Sequence, residues 1–157
     1  MDSTFTYTNA APQVRGFNSG VWSVYEGKIR DYAKYCSTNG GDLYLITGIS
    51  EVRINVDKTS KKITAKLERM KPFRGITIPN SFWTAGCCVN PTTTLVIGAF
   101  AGIGNNLKDK SRVQMSQMVV KELEALLAVG VKGIGLGAID LFPGNHNCYD
   151  RAKQITL

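Results

Sequence analysis

Apolar residues recur at two different periods along this chain, and the period decides the element. Phe17, Val21, Val24, Tyr25, Ile29 and Tyr32 return at helical spacing, which predicts a helix from about Phe17 to Cys36 with those side chains on its core face. Asn39-Gly40-Gly41 ends it. Upstream, Thr4-Phe5-Thr6-Tyr7 alternates hydroxyl and aromatic residues, a strand pattern, and Asn9 to Gly16 reads as a loop. Downstream, the compact run Leu43-Tyr44-Leu45-Ile46-Thr47 predicts a buried strand. Arg53 to Val56 and Lys62 to Ala65 read as strands around the turn Asp57-Lys58-Thr59-Ser60, and Ile78 to Trp83 leads into a strand that continues to Cys88. Asn90-Pro91 marks a turn before a strand from Thr93 to Phe100, and Gly102 to Asn106 reads as a loop. Ser111 is placed to cap a helix from Arg112 to Val129, with Met115, Val119, Leu123 and Leu126 inward and Gly130 past its end. From Gly144 onward the chain is polar and reads as irregular. No repeat or linker divides it, so the expectation is one α+β domain over residues 1–157 with a polar tail at 144–157.

Composition adds a charge preference. The 157 residues are 43% hydrophobic and carry a net charge of +7, which favours polyanionic partners such as nucleic acid or acidic membrane surfaces. The basic residues concentrate in one place, with Lys58, Lys61, Lys62, Lys66, Arg69, Lys71 and Arg74 in the charged segment from Glu51 to Arg74. No apolar run approaches the roughly 20 residues of a membrane span, and Met1 to Thr4 has neither the basic nor the apolar segment of a secretory signal.

The four cysteines, Cys36, Cys87, Cys88 and Cys148, have no CxxC spacing, which argues against zinc. Three full pairings are open, Cys36 with Cys148 being one candidate bridge, and four reduced thiols is the alternative. Cys87 and Cys88 on one strand would point to opposite faces, so a bond between them is disfavoured.

The chemistry sits on the first helix. Asn18, Trp22, Glu26 and Arg30 are four apart, and each step of four drifts about 40° around a helix, which makes a slanted stripe. The Asn18 amide oxygen suits a hard cation, and magnesium keeps several of its waters and needs few protein ligands. Glu26 can accept hydrogen bonds from those waters, and Arg30 can offer a forked set of donors to phosphate. Asn9 and Gln13, on the preceding turn, can brace the loop or touch substrate. Each has a plainer role too: Asn18 as a helix cap, Glu26 and Arg30 as an i,i+4 ion pair, Trp22 as core packing.

The segment Thr8-Asn9-Ala10-Ala11-Pro12-Gln13 followed by Phe17-Asn18-x-Gly20-x-Trp22-x-x-x-Glu26-x-x-x-Arg30 resembles the second half of the active-site motif of the DNA/RNA non-specific endonucleases, the ββα-metal nucleases. Leu43 to Gly48 resembles that family's central strand, and Ile78 to Trp83 its Pro-x-x-aromatic-Trp element. Val119 to Glu124 and Leu141-Phe142-Pro143 resemble its late helix and closing strand, so the likeness covers roughly residues 4 to 143. Asn39 to Tyr44 and Trp83 to Cys88 look like the endonuclease domain-containing 1-like branch. The resemblance implies an antiparallel central sheet flanked by helices, with Asn18 as metal ligand, Glu26 as water-orienting carboxylate and Arg30 as phosphate-side guanidinium. It implies magnesium-dependent hydrolysis of DNA and RNA with little sequence preference, in a branch that is usually exported and tolerates disulfides.

The family's general base is a histidine in an Asp-Arg-Gly-His segment on the strands before this helix, and that tetrapeptide is absent here. The expectation is therefore an N-terminally truncated domain, weak or inactive alone, whose strand Thr4 to Tyr7 has an open edge for a second copy or a partner chain. The one histidine, His146, lies in the polar tail and would need an unusual swing to replace the base. The alternative is a non-catalytic binding protein for nucleic acid or another polyanion, or a secreted interaction protein.

Overall fold

The computed structural model describes Gln13 and residues 17–108, 113–131 and 139–157, with the side chains of Asn18, Ser19, Phe73 and His146 left out; the predicted strand at Thr4 to Tyr7, the loop residue Asn9 and the cap Ser111 lie outside it. The first helix begins as a wide π-type turn, Asn18–Trp22, and becomes regular as α1, Ser23–Thr38. Gly20 leaves helical geometry within that turn (φ −109°, ψ −116°), so the expected continuous helix is broken at its start. At the other end Gly40 takes φ +76°, which lets Gly40 and Gly41 donate back to Ser37 and Cys36, a Schellman closure.

β1 (Asp42–Ser50), β6 (Ser81–Val89), β7 (Val96–Asn105) and β8 (Met115–Met118) form one antiparallel sheet in the order β1-β6-β7-β8. β2 (Val52–Val56) and β3 (Ile63–Leu67) make a separate hairpin, and β4 (Pro72–Phe73) with β5 (Ile76–Thr77) a shorter one. α2 spans Val120–Val129, and two short 3₁₀ turns, His146–Tyr149 and Arg151–Lys153, follow. This is the expected α+β, ββα-metal nuclease-like arrangement. Among the described residues, no helix is long and apolar enough to cross a membrane.

The sheet is covered on both faces. On one, Phe17, Trp22, Tyr25, Ile29, Tyr32 and Cys36 pack on Phe82, Cys88 and Phe100. On the other, Val52 and Ile54 of the β2–β3 hairpin and Leu123, Leu126 and Leu127 of α2 pack on Ala85, Cys87, Ala99, Ala101 and Ile103. The period of two along β6 and β7 sorts these side chains. On the α1 face β7 presents Gly98, Phe100, Gly102 and Gly104, and the glycines leave room for the aromatic rings of the helix. A Cβ at Gly102 would lie 2.7 Å from the Tyr25 Oη and 2.7 Å from Met115 Cε. Gly102→Ala therefore overpacks this seam, at a cost of about 1–3 kcal/mol. It should lower the midpoint of thermal unfolding by about 2–4 °C per kcal/mol, and an unchanged midpoint would contradict this packing.

Several expectations change. The run at Leu43 to Thr47 is a strand, but β1 is the edge of the described sheet and none of its residues is buried; Tyr44, Leu45 and Ile49 are 57%, 48% and 54% exposed. Val24 is 62% exposed and leaves the core face. Gly102 to Asn105 belongs to β7 rather than to a loop. The long helix from Arg112 is in fact strand β8 followed by α2, with Met115 on the strand and Val119 just before the helix. Leu141 and Phe142 form a bend rather than a strand, buried against the α2 side.

The disulfides are Cys36–Cys88 and Cys87–Cys148, not Cys36–Cys148. Adjacent Cys87 and Cys88 do point to opposite faces, and each bonds the element packed there. The tail is docked rather than loose. Gln154 bridges Ala99 and Ile155 N–H donates to the Ala99 carbonyl at 2.8 Å, filling the edge of β7 beyond its last pair with β8 at Ala101. The Gln154 amide oxygen accepts from Val120 N–H at 3.0 Å, closing the start of α2.

Candidate active site on the first helix

The motif residues separate into a buried and an exposed set. Trp22 drops out of the expected polar stripe: it is buried and its ring lies 5.4 Å from that of Phe17 and 5.8 Å from that of Tyr25. Ring pairs of this kind contribute about 0.5–1.5 kcal/mol beyond simple burial, so Trp22 anchors the start of α1 to the sheet. Glu26 and Arg30 continue past it on the exposed side.

Glu26 and Arg30 do not neutralise each other. Their spacing permits an i,i+4 ion pair, yet neither has an ion-pair or hydrogen-bond partner among the described residues. Gly27 lies between them, and a Cβ there would come 3.6 Å from Arg30 Nη2. Asn18 occupies neither of the capping positions. The capping position of α1 is Trp22, and that of the π-type turn is Phe17, each without a side-chain cap bond. The Asn18 backbone opens the π-type turn; its side chain lies outside the description. π-type turns inside helices recur at functional sites because they re-aim the residues around them. Gln13 is half-buried, and Asn9 lies outside the described residues.

Two buried phenols lie beneath this surface. Tyr25 and Tyr32 hydroxyls have no hydrogen-bond partner among the described residues, and burial raises the pKa of each, aided at Tyr32 by the neighbouring Tyr35. They stay neutral and hold α1 against Gly102 and Gly98 rather than titrate.

His146 opens the 3₁₀ turn whose Cys148 is bonded to Cys87 in the core on the α2 face. That fastens the backbone of His146 to the side of the sheet away from α1.

A family model for DNA/RNA non-specific endonucleases matches residues 1–155. The chain belongs to that family. The match runs through the docked tail, beyond the point near residue 143 where the motif likeness ends. No curated protein and no solved structure matches the chain. Non-specific endonucleases are metal-dependent enzymes of nucleic acid, so the donor set on α1 has to be compared with that need. No group of three or more His, Cys, Asp or Glu comes together among the described residues. A cage of charged side chains is thus not what these residues offer. The exposed carboxylate of Glu26 and guanidinium of Arg30 are instead of the kind that contact an ion through the waters it keeps.

What sequence reasoning missed is a set of buried asparagines. Asn105 accepts from Ile54 N–H at 3.0 Å and donates to the Ile54 and Val113 carbonyls at 2.9 and 2.6 Å. Asn80 donates to the carbonyls of Glu51 and Glu68 at 2.8 and 2.7 Å. Asn106 donates to the Pro79 carbonyl at 3.0 Å. The one available signal was Asn105-Asn106 directly after an apolar strand, which resembles a turn.

Proposed function

We propose that the exposed side of α1 holds a magnesium ion and a nucleic-acid phosphate, and that residues 1–157 act as one nuclease-family domain with weak or no hydrolysis of its own. The observation that carries this reading is the missing Glu26–Arg30 ion pair. A carboxylate and a guanidinium four residues apart remain available to a ligand, next to the turn that begins at Asn18, in a chain of this family. A divalent cation bound there would supply positive charge at the scissile phosphate. The Asn18 amide oxygen would be its protein ligand, and Glu26 would accept hydrogen bonds from surrounding waters. Arg30 would donate to phosphate oxygens, strengthening as negative charge builds on them. Gln13 and Asn9 would brace the turn. Contacts to phosphate alone would leave little sequence preference between DNA and RNA.

Hydrolysis also needs a group to take the proton from the attacking water. The chain has no Asp-Arg-Gly-His, and its one histidine sits on the turn bonded to the far side of the sheet. A general base contributes about 10²–10⁴-fold in rate, so cleavage by this chain should be slower by that order than with a histidine strand supplied. The same placement favours the second reading, metal-assisted binding of nucleic acid without turnover. Two disulfides further support an oxidising compartment, in keeping with secretion.

Manganese titration followed by water-proton relaxation, beside plasmid and RNA cleavage with magnesium and with chelator, tests this. We expect metal binding that Asn18→Ala abolishes, and slow cleavage that chelator and Asn18→Ala both remove. Glu26→Gln should weaken any cleavage at least tenfold while the metal still binds. Robust cleavage that survives Asn18→Ala would sink the site assignment.

A further inference from the structure

We propose that the β2–β3 hairpin and the segment after it form a second, metal-independent surface for the nucleic-acid backbone, on the side of the sheet opposite α1. The proposal rests on the nuclease reading only for the identity of the polyanion. Between residues 51 and 74 the chain has eight Lys and Arg residues against three acidic ones, most of the excess behind its +7 charge. Lys58, Lys61, Lys62, Lys66, Arg69 and Lys71 are all exposed, and none has an ion-pair partner among the described residues.

Two of the three acids in this segment, Glu68 and Asp57, are engaged elsewhere. Glu68 pairs with Arg53 at 3.3 Å. Asp57 accepts from the N–H groups of Thr59 and Ser60 at 2.8 and 2.7 Å, which holds its pKa down and its carboxylate inside its own turn. Glu122 shares with Lys61 and Lys62 a groove between the hairpin and α2, without an ion pair to either among the described residues.

Strand geometry gives these charges a spacing. Ile54, Val56, Ile63 and Ala65 turn inward or are half-covered, so Thr64 and Lys66 share the outward face of β3, and Lys62, directly before the strand, continues the same alternation. At about 3.3 Å per residue, Lys62 and Lys66 stand about 13 Å apart. Along the axis of a duplex that distance spans on the order of four phosphates of one strand, at about 3.4 Å of axis each. The hairpin is also held stiffly. The Asn105 amide grips both backbone groups of Ile54, and Asn80 grips the backbone at both ends of the hairpin, at Glu51 and Glu68. A fixed row of cations loses less freedom on binding than one on a loose loop.

Because Val52 and Ile54 pack on the α2 face while Glu26 and Arg30 belong to the helix on the other, the two surfaces are separable. The hairpin lies at the Asn105 end of β7, and Phe17, just before the π-type turn, packs by Gly104 at that same end. A nucleic acid passing around this end of the sheet would meet both.

The test is fluorescence anisotropy with a short labelled DNA duplex in chelator, at salt between about 50 and 200 mM. Wild type should bind with a steep inverse dependence on salt. The triple variant Lys61→Gln, Lys62→Gln, Lys66→Gln should lose tenfold or more in affinity at the low end, and its log–log salt slope should flatten by up to about 0.9 per phosphate contact removed. A second triple variant, Lys34→Gln, Lys121→Gln, Lys153→Gln, removes the same charge elsewhere and should lose far less. Asn18→Ala should bind in chelator like wild type, which separates this proposal from the metal-site reading. Equal loss in both triple variants, or none in the hairpin variant, would overturn it. So would wild type that ignores the duplex in chelator but binds vesicles of phosphatidylserine and phosphatidylcholine.

Discussion

Replacing Cys87 and Cys148 together with alanine should lower the melting midpoint by roughly 8–16 °C, from about 4 kcal/mol of lost stability at about 2–4 °C per kcal/mol. The disulfide closes a loop with a sequence separation of 61, and freeing that loop enlarges the conformational freedom of the unfolded chain. Cys36–Cys88, with a separation of 52, should give a loss of similar size when removed. The consequences differ locally. Without Cys87–Cys148 the 3₁₀ turn and tail come loose from the α2 face, and with them the Gln154 bond that closes the start of α2. Without Cys36–Cys88 the end of α1 loses its tie to β6, so Glu26 and Arg30 should be disturbed more. Against a typical total of about 5–15 kcal/mol, reduction of both bonds leaves little net stability. Thermal unfolding with and without reductant, on wild type and each paired variant, measures this. A midpoint that moves by under about 2 °C on removal of either bond would show that the native state does not depend on it.

The elements read from period alone succeeded where one face was buried and one wet. Tyr25, Ile29 and Tyr32 kept their helical spacing, and the hairpin around Asp57 kept its two strands. The failures share physical causes. Leu43 to Thr47 is a short continuous apolar run, and such a run cannot by itself distinguish a buried strand from an apolar edge. Gly102 and Gly104 resemble loop punctuation, yet in β7 they are the positions where Tyr25 and Phe17 come closest. Met115-Ser116-Gln117-Met118 continues the helical spacing of Leu123 and Leu126 by coincidence, and its pairing with β7 is a non-local fact that local spacing does not carry. The cysteine pairing depends on which face of β6 each sulfur takes, and the alternation argument held for Cys87 and Cys88. What it could not supply was that α1 covers one face and the 3₁₀ turn carrying Cys148 docks on the other.

The candidate site was legible in its residue types and less so in its geometry. A four-residue spacing places Trp22, Glu26 and Arg30 on one stripe only if the helix is uniform and equally wet along its length. The π-type turn removes the first condition and the aromatic seam the second, so Trp22 is core while Glu26 and Arg30 stay outside. The basic segment was visible as composition, but its position on the opposite side of the sheet follows from Val52 and Ile54 choosing the α2 face.

Asn105→Ala is expected to be among the most damaging single changes, because the residue acts as a one-residue strand for β2. Its amide oxygen takes the Ile54 N–H and its amide nitrogen the Ile54 carbonyl, the two groups β2 directs away from β3, while the same nitrogen also reaches Val113. The side chain is fully buried, so water does not replace it without reorganisation. Each buried group left without a partner costs about 1–3 kcal/mol, which for three groups is on the order of 3 kcal/mol or more. Exchange of the Ile54 amide hydrogen should accelerate by about a hundredfold or more, the equivalent of ~3 kcal/mol. Asn105→Asp should rescue little at neutral pH although it keeps the shape, because an oxygen would then face the Ile54 and Val113 carbonyls. Duplex binding in chelator should weaken alongside, since a hairpin freed from β7 must be ordered again on binding. Rapid Ile54 exchange with undiminished duplex binding would separate the clamp from the basic surface, whereas slow exchange in Asn105→Ala would show that β2 is held by its apolar contacts with Leu123 and Ile103 alone.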